Sequence, residues 1–227
     1  LSATGTEMDP FDVISDMSKN EKWGTGSPYM VPTMSILNPE YTFSVSKKQT
    51  AAGTADMMSH TMENYFSMEN ADCQKFNYEA RANLMWAGTH AINGVVGDGC
   101  SPAWCVHPME HELSAFYDIT HGEGLAILTP AWMEHILNDD TLPMFVEFAK
   151  NVWGLCGDDD YALAHAGIDA LKKFFFETMG IPANLRAVGI TDDRNFEVMA
   201  KKACEGSKGS FVPLSKDDIV EIYRAAF

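Results

Sequence analysis

The spacing of apolar positions changes character once along the chain. In residues 11 to 38, "FDVISD" and "YMVPTMSILNP" are short β-prone runs on either side of the turn-rich "KNEKWGTGSP", and they predict extended structure. From Ser46 onward the pattern becomes helical. Ser46 followed by Gln49 has capping-box spacing and predicts a helix running to about Phe66. "NYEARANLMWAGTHAING" predicts a second helix, closed by Gly94 or by the glycines that follow it. In residues 160 to 179, Ala164, Ile168, Leu171 and Phe175 recur at helical spacing before Gly180 and Pro182 stop the run. Ser215 with Asp218 caps a last helix through "DIVEIYRAAF". So few strands cannot make a sheet-based domain. The pattern predicts a mainly α-helical chain with a short β remnant at its start.

Composition narrows the class. The chain has 227 residues, enough for a real core, with 46% hydrophobic and 21% charged residues, as in an ordinary globular protein. A formal charge of −16 argues against nucleic acid as a partner and against anionic lipid, because both need clustered Lys and Arg. No apolar run approaches the roughly 20 residues that span a bilayer. The start, "LSATGTEMDP", lacks the basic and apolar segments of a signal peptide, and it also lacks an initiator Met. Cys73, Cys100, Cys105, Cys156 and Cys204 form an odd, scattered set without a C-x-x-C pair, which fits reduced thiols and a cytoplasmic location. The methionines fit core gaps better than a metal-binding box.

The chemistry concentrates in "WCVHPMEHELSAFYDITHGEG", residues 104 to 124. His107 and His111 share a helix face, and the helix is expected to bend or end near "YDIT" before His121. Earlier, "AGTADMMSHTMENYF" places Asp56 and His60 four apart on the first long helix, among methionines that would dry a site. Two chelating pairs on different helices, with His121, point to one divalent metal centre. Ligand type alone leaves Zn, Fe(II), Co and Ni open. His107, Glu110 and His111 also spell the inverted zinc-peptidase signature H-x-x-E-H. A peptidase needs a downstream glutamate ligand in a matching context, and it leaves Asp56, His60 and His121 unexplained, so that match reads as accidental.

At these residues the sequence resembles the iron-containing alcohol dehydrogenase family, in its branch of butanol dehydrogenases and NADPH-dependent aldehyde reductases. That family carries a D-x-x-x-H pair on one helix and an H-x13-H pair on later segments, here Asp56 and His60, then His107 and His121. "HELSAFYDITHGEGLAILTPAWM" is similar to that branch nearly throughout, and "RANLMWA" and "IYRAAF" also match. The resemblance implies the helical C-terminal domain of the dehydroquinate synthase-like fold over residues 43–227, with 1–42 the remnant of a nucleotide-binding α/β domain. It implies reversible hydride transfer between NADPH (NADH less favoured) and a primary alcohol–aldehyde pair such as butanol and butyraldehyde. An ion held by Asp56, His60, His107 and His121 would polarise the substrate oxygen, with His111 as a proton relay or nicotinamide neighbour. Thr4, Gly5 and Thr6, an altered form of the family's nucleotide loop, and Lys22 would contact the cofactor. Members are longer at the N-terminus, and "NADCQKFNYEA" is too short for a helix they usually carry there. The chain by itself is therefore expected to bind NADPH poorly, to lack activity, and to pair through exposed apolar faces as a homodimer. The competing classes are a dehydroquinate-synthase-like lyase and a metal-binding helical module without catalysis.

Overall fold

A computed structural model describes residues 4–36, 44–66, 104–207 and 210–227. The second helix expected from "NYEARANLMWAGTHAING", with His90 and Trp86, lies outside these residues, as do Cys73, Cys100 and "NADCQKFNYEA". A β-hairpin comes first, formed by strands β1 (Phe11–Asp16) and β2 (Glu21–Gly26) in antiparallel register from Phe11 opposite Gly26 to Asp16 opposite Glu21. Seven α-helices follow among the described residues. They are α1 (Lys47–Tyr65), α2 (Val106–Tyr117), α3 (His121–Ile136), α4 (Leu142–Trp153), α5 (Asp160–Lys173), α6 (Phe196–Gly206) and α7 (Lys216–Ala225). The mainly α reading with a small β start holds. No helix among the described residues is long and apolar enough to cross a membrane.

The β expectation needs a correction in detail. "FDVISD" is β1, but its partner β2 lies inside the segment read as turn, and "YMVPTMSILNP" is not a strand where it is described. The turn is made by Met17–Asn20. Asp16 Oδ1 accepts from the Ser18 N–H (3.0 Å), and Asn20 takes a left-handed φ of 51°, which Asn tolerates better than most residues. Pro28 and Pro32 lack the N–H that a ladder needs, and Pro28 instead opens a 3-10 turn, Pro28–Met30.

Helix ends follow local chemistry. Ser46 accepts from the Gln49 N–H and starts α1, which stops at Phe66. Ser215 and Asp218 form a full capping box at the start of α7. Ala164, Ile168, Leu171 and Phe175 are all buried, and α5 passes into a π turn, Phe174–Thr178, before Gly180 at φ 71°. The core is continuous through the helices, with Trp132, Phe145, Phe175, Met109, Leu113 and Leu125 fully buried. Each such side chain contributes about 1.5–3 kcal/mol by leaving water.

Two close approaches set the geometry that matters for function. Helix α3 packs on α1 so tightly that a Cβ on Gly122 would meet the Ala52 carbonyl oxygen at 2.0 Å. A Cβ on Gly124 would meet Glu110 Cγ of α2 at 2.7 Å. The glycines of "HGEG" thus let the N-terminus of α3 lie against both neighbours. Among the described residues, every exposed large hydrophobic side chain except Tyr161 and Val198 lies between Met8 and Ile36.

Candidate metal centre

Helix α1 presents Asp56 and His60 from adjacent turns, α2 presents His107 from its first turn, and α3 presents His121 as its first residue. The break between α2 and α3 is made by Asp118, at a left-handed φ of 51°. It places His121 beside His107 by a change of helix, where one continuous helix would have put it turns away. Three imidazoles surround one carboxylate oxygen. Asp56 Oδ1 stands 3.5 Å from His60 Nε2, 3.8 Å from His107 Nε2 and 3.5 Å from His121 Nε2. Asp56, His107 and His121 each offer an atom within 4.8 Å of one another.

These separations suit an ion. Ligands at about 2.0–2.2 Å from a tetrahedral centre stand about 3.3–3.6 Å apart, a range that holds the two separations of 3.5 Å and is slightly exceeded by the 3.8 Å to His107. Asp56 Oδ1 and His107 Nε2 are buried without a hydrogen-bond partner among the described residues, an arrangement costly for polar atoms that nothing else satisfies. The donor set of one oxygen and three nitrogens fits a borderline divalent metal.

Two further carboxylates hold His107 and His121. Glu63, fully buried on α1, lies 2.5 Å through Oε1 from His107 Nδ1 and accepts there from Ser59 Oγ–H (2.9 Å). Its Oε2 accepts from the Val106 and His107 N–H groups at 3.1 and 3.4 Å, closing the N-terminus of α2. Glu110, also fully buried, meets His121 Nδ1 through Oε2 and Ser114 Oγ through Oε1. A histidine that donates Nδ1–H to a carboxylate keeps Nε2 free as a ligand, and its ring is fixed in orientation. The stacked rings of His60 and His107 (centroids 4.6 Å apart) and the edge of Trp104 against both close one side. His121, 31% exposed at its side chain, marks the open side.

Electrostatics follow the geometry. Burial works to raise the Asp56 carboxyl, and the surrounding imidazoles outweigh it and hold it at about 2. Burial works to lower His107, and Glu63 and Asp56 beside it carry it up to about 10. Burial and the charge of His107 bring His60 down to about 4. Glu110 is held at about 2 by His121, against burial.

The expected ligands Asp56, His60, His107 and His121 are thus brought together. His111 is adjacent, its ring 5.5 Å from His121 and 6.1 Å from His107, and burial brings it down to about 3, so it is neutral near pH 7. Lys22 is neither solvated nor pointing away from the cluster: its ammonium is 3.3 Å from Glu110 Oε2 and 3.2 Å from His121 Nδ1. Gly5 and Thr6 lie in a turn over residues 5–8 in which Met8 N–H donates to Gly5 O (2.9 Å), Gly5 has φ 58°, and Thr6 Oγ1 lies 2.7 Å from Thr4 Oγ1 just before it. Glu63 was not among the expected residues, although it falls three after His60 and seven after Asp56, on the same face of α1. Glu110, set aside with the peptidase signature, acts on His121.

The family model for the C-terminal part of the Fe-containing alcohol dehydrogenase family matches residues 73–227. The chain belongs to this family. It is 50% identical over 253 residues to NADH-dependent butanol dehydrogenase A of Clostridium acetobutylicum, covering all of this chain and 64% of that protein. It is 31% identical over 225 residues to the NADPH-dependent aldehyde reductase YqhD of Escherichia coli K12, covering 89% of this chain and 57% of that protein. Among solved structures, a butanol dehydrogenase A from Thermotoga maritima superposes with a TM-score of 0.89 at 31% identity, over all of this chain and 64% of that one. The fold is therefore that of the Fe-containing alcohol dehydrogenases. The chain spans less than two thirds of the length of these relatives.

Proposed function

We propose that the chain supplies the metal-binding part of an NAD(P)H-dependent alcohol dehydrogenase or aldehyde reductase acting on a primary alcohol–aldehyde pair such as butanol and butyraldehyde. The observation that carries this reading is the convergence of three imidazoles on Asp56 Oδ1, within a chain of this family. Asp56, His60, His107 and His121 would hold the ion, Fe(II) or Zn by donor type, with Co and Ni compatible. A bound divalent ion supplies Lewis-acid polarisation of the substrate oxygen.

The chain's own residues do the rest. Glu63 and Glu110 keep the ligating nitrogens of His107 and His121 aimed inward, and Trp104 with the His60–His107 stack excludes water from the closed side. His111, neutral and adjacent to the open side, has one N–H and one lone pair and passes a proton between the substrate oxygen and solvent. Thr4, Gly5 and Thr6 offer backbone and hydroxyl donors to the cofactor. Residues 1–42 belong in this reading to the nucleotide-binding part and 43–227 to the catalytic domain. The sequence favours NADPH on resemblance, whereas the relatives at 50% and 45% identity are named NADH-dependent, which supports NADH here. A cytoplasmic homodimer is part of the same proposal, supported by the apolar side chains exposed between Met8 and Ile36.

The test is metal analysis of the purified 227-residue chain after reconstitution with Zn or Co(II), together with NADH- and NADPH-dependent butyraldehyde reduction. One tightly held ion per chain, lost in Asp56→Ala, is expected. A reconstituted, folded chain that holds no ion ends the reading.

A further inference from the structure

We propose that Lys22 is a positioning residue of the metal centre: it fastens the β1–β2 hairpin to His121 through Glu110, so that ion binding and hairpin docking strengthen each other. The inference rests on the metal reading above and concerns a residue that sequence alone assigns to the cofactor.

The hairpin meets the helical body along β2, and few of its side chains are buried there. Of the side chains in β1 and β2, all are exposed except Asp16 and Lys22. Asp16 is occupied within the hairpin turn, by Ser18 and Lys19. Strand β2 lies against α2, and Lys22 is the strand side chain that leaves solvent there, 12% exposed, to meet a fully buried carboxylate. At the turn, Lys202 of α6 donates to the Asn20 carbonyl (3.3 Å) from a solvated position. Lys22 therefore carries the one buried, charge-assisted link described between hairpin and helices.

The same ammonium completes the surroundings of Glu110. Glu110 Oε2 meets both His121 Nδ1 and Lys22 Nζ, which stand beside each other 3.2 Å apart, while Oε1 is held by Ser114. A buried carboxylate with these three partners has one orientation open to it, and that orientation fixes the His121 ring. Without Lys22, Glu110 would keep His121 and Ser114 but lose the second partner of Oε2, and His121 is the most exposed of the ligands. Because coupling free energy is reciprocal, an ion that orders His121 must also favour the docked hairpin by the same factor.

The sign of the effect separates this role from bare electrostatics. Removing an ammonium beside a cation site relieves repulsion, so Coulomb's law alone predicts tighter ion binding by Lys22→Met. Positioning predicts weaker binding, by about tenfold, the lower end of what outer partners of metal ligands contribute. The experiment is Co(II) titration of the wild-type chain and of Lys22→Met, read by visible absorption, with circular dichroism confirming that both are folded. Hydrogen exchange of the Glu21–Gly26 amides is followed with and without Co(II). Weaker binding in Lys22→Met, a changed Co(II) spectrum, and hairpin exchange slowed by Co(II) in the wild type only are the expected results. Equal or tighter binding by the folded variant overturns the inference, as does hairpin exchange indifferent to Co(II) in the wild type. Asp56→Ala keeps the two readings apart: if it binds Co(II) as well as the wild type, the metal assignment itself has failed.

Discussion

The backbone of Gly122 rests directly on the carbonyl of Ala52: a methyl group added to the glycine would stand 2.0 Å from that oxygen. His121, the neighbouring residue, reaches Asp56 because α3 can come this near to α1. Gly122→Ala should therefore push the two helices apart, costing about 1–3 kcal/mol by overpacking against backbone that cannot yield. Its bound metal should fall together with its melting temperature. A variant that keeps a full complement of metal at unchanged stability would show that the approach is not needed.

Ligand and neighbour should separate cleanly. His121→Ala and Asp56→Asn should lose metal on dialysis against a mild chelator, whereas His111→Ala should retain it. Where butyraldehyde reduction is measured, His111→Ala should lower turnover by about 10²-fold, the scale of a missing proton-transfer group. Equal metal loss in His111→Ala and His121→Ala would make His111 a ligand, an outcome for which Glu110, His111 and His121 are close enough.

Glu63 should matter twice. Glu63→Gln keeps the shape but weakens the hold on His107 Nδ1, and metal affinity should drop by about 10–100-fold. Glu63→Ala also strips the acceptor from Val106 N–H and His107 N–H, and unfolding of the metal-free chain should become easier by about 1–3 kcal/mol. Denaturant titration of the two variants without metal distinguishes the losses.

The last helix offers a test independent of metal. Ser215→Ala removes the cap of α7 and should cost about 1 kcal/mol. Its partner Asp218 has its carboxyl held below the ordinary 3.8, first by the Ser215 hydrogen bond. A carboxyl lowered in the folded state stabilises it above the unfolded value and loses that contribution as pH falls through the folded one. The difference in stability between wild type and Ser215→Ala should therefore be constant from pH 7 to 5 and shrink below pH 4. A gap unchanged at pH 2.5 would exclude the ionised box.

What the sequence makes legible follows the range of the forces involved. The starts of α1 and α7 and the course of α5 are readable because caps and helical periodicity are local. Strand β2 is not, because "EKWGTG" has little strand propensity of its own and is extended by pairing with β1 around Asn20. Likewise the chelating spacing of Asp56 and His60 is local, and the ligand set can be assembled from it. The holders of those ligands are not local: Glu63 meets His107 across 44 positions, and Lys22 meets Glu110 across 88. A charge at position 22 can be seen in the sequence, but its partner can be seen only in the fold.

The division of the ligands among three helices also determines when the site comes into being. No single helix holds more than two of them, and the first pair is separated from the others by a long stretch of chain. Bringing Glu63 to His107 closes a loop that costs about 3 kcal/mol in chain entropy, returned only when α1, α2 and α3 have packed. Isolated helices would bind an ion weakly, and the full coordination sphere exists only after these long-range contacts form. Cobalt colour would then report on assembly: during refolding its growth should trail the far-ultraviolet helix signal and coincide with burial of the tryptophans.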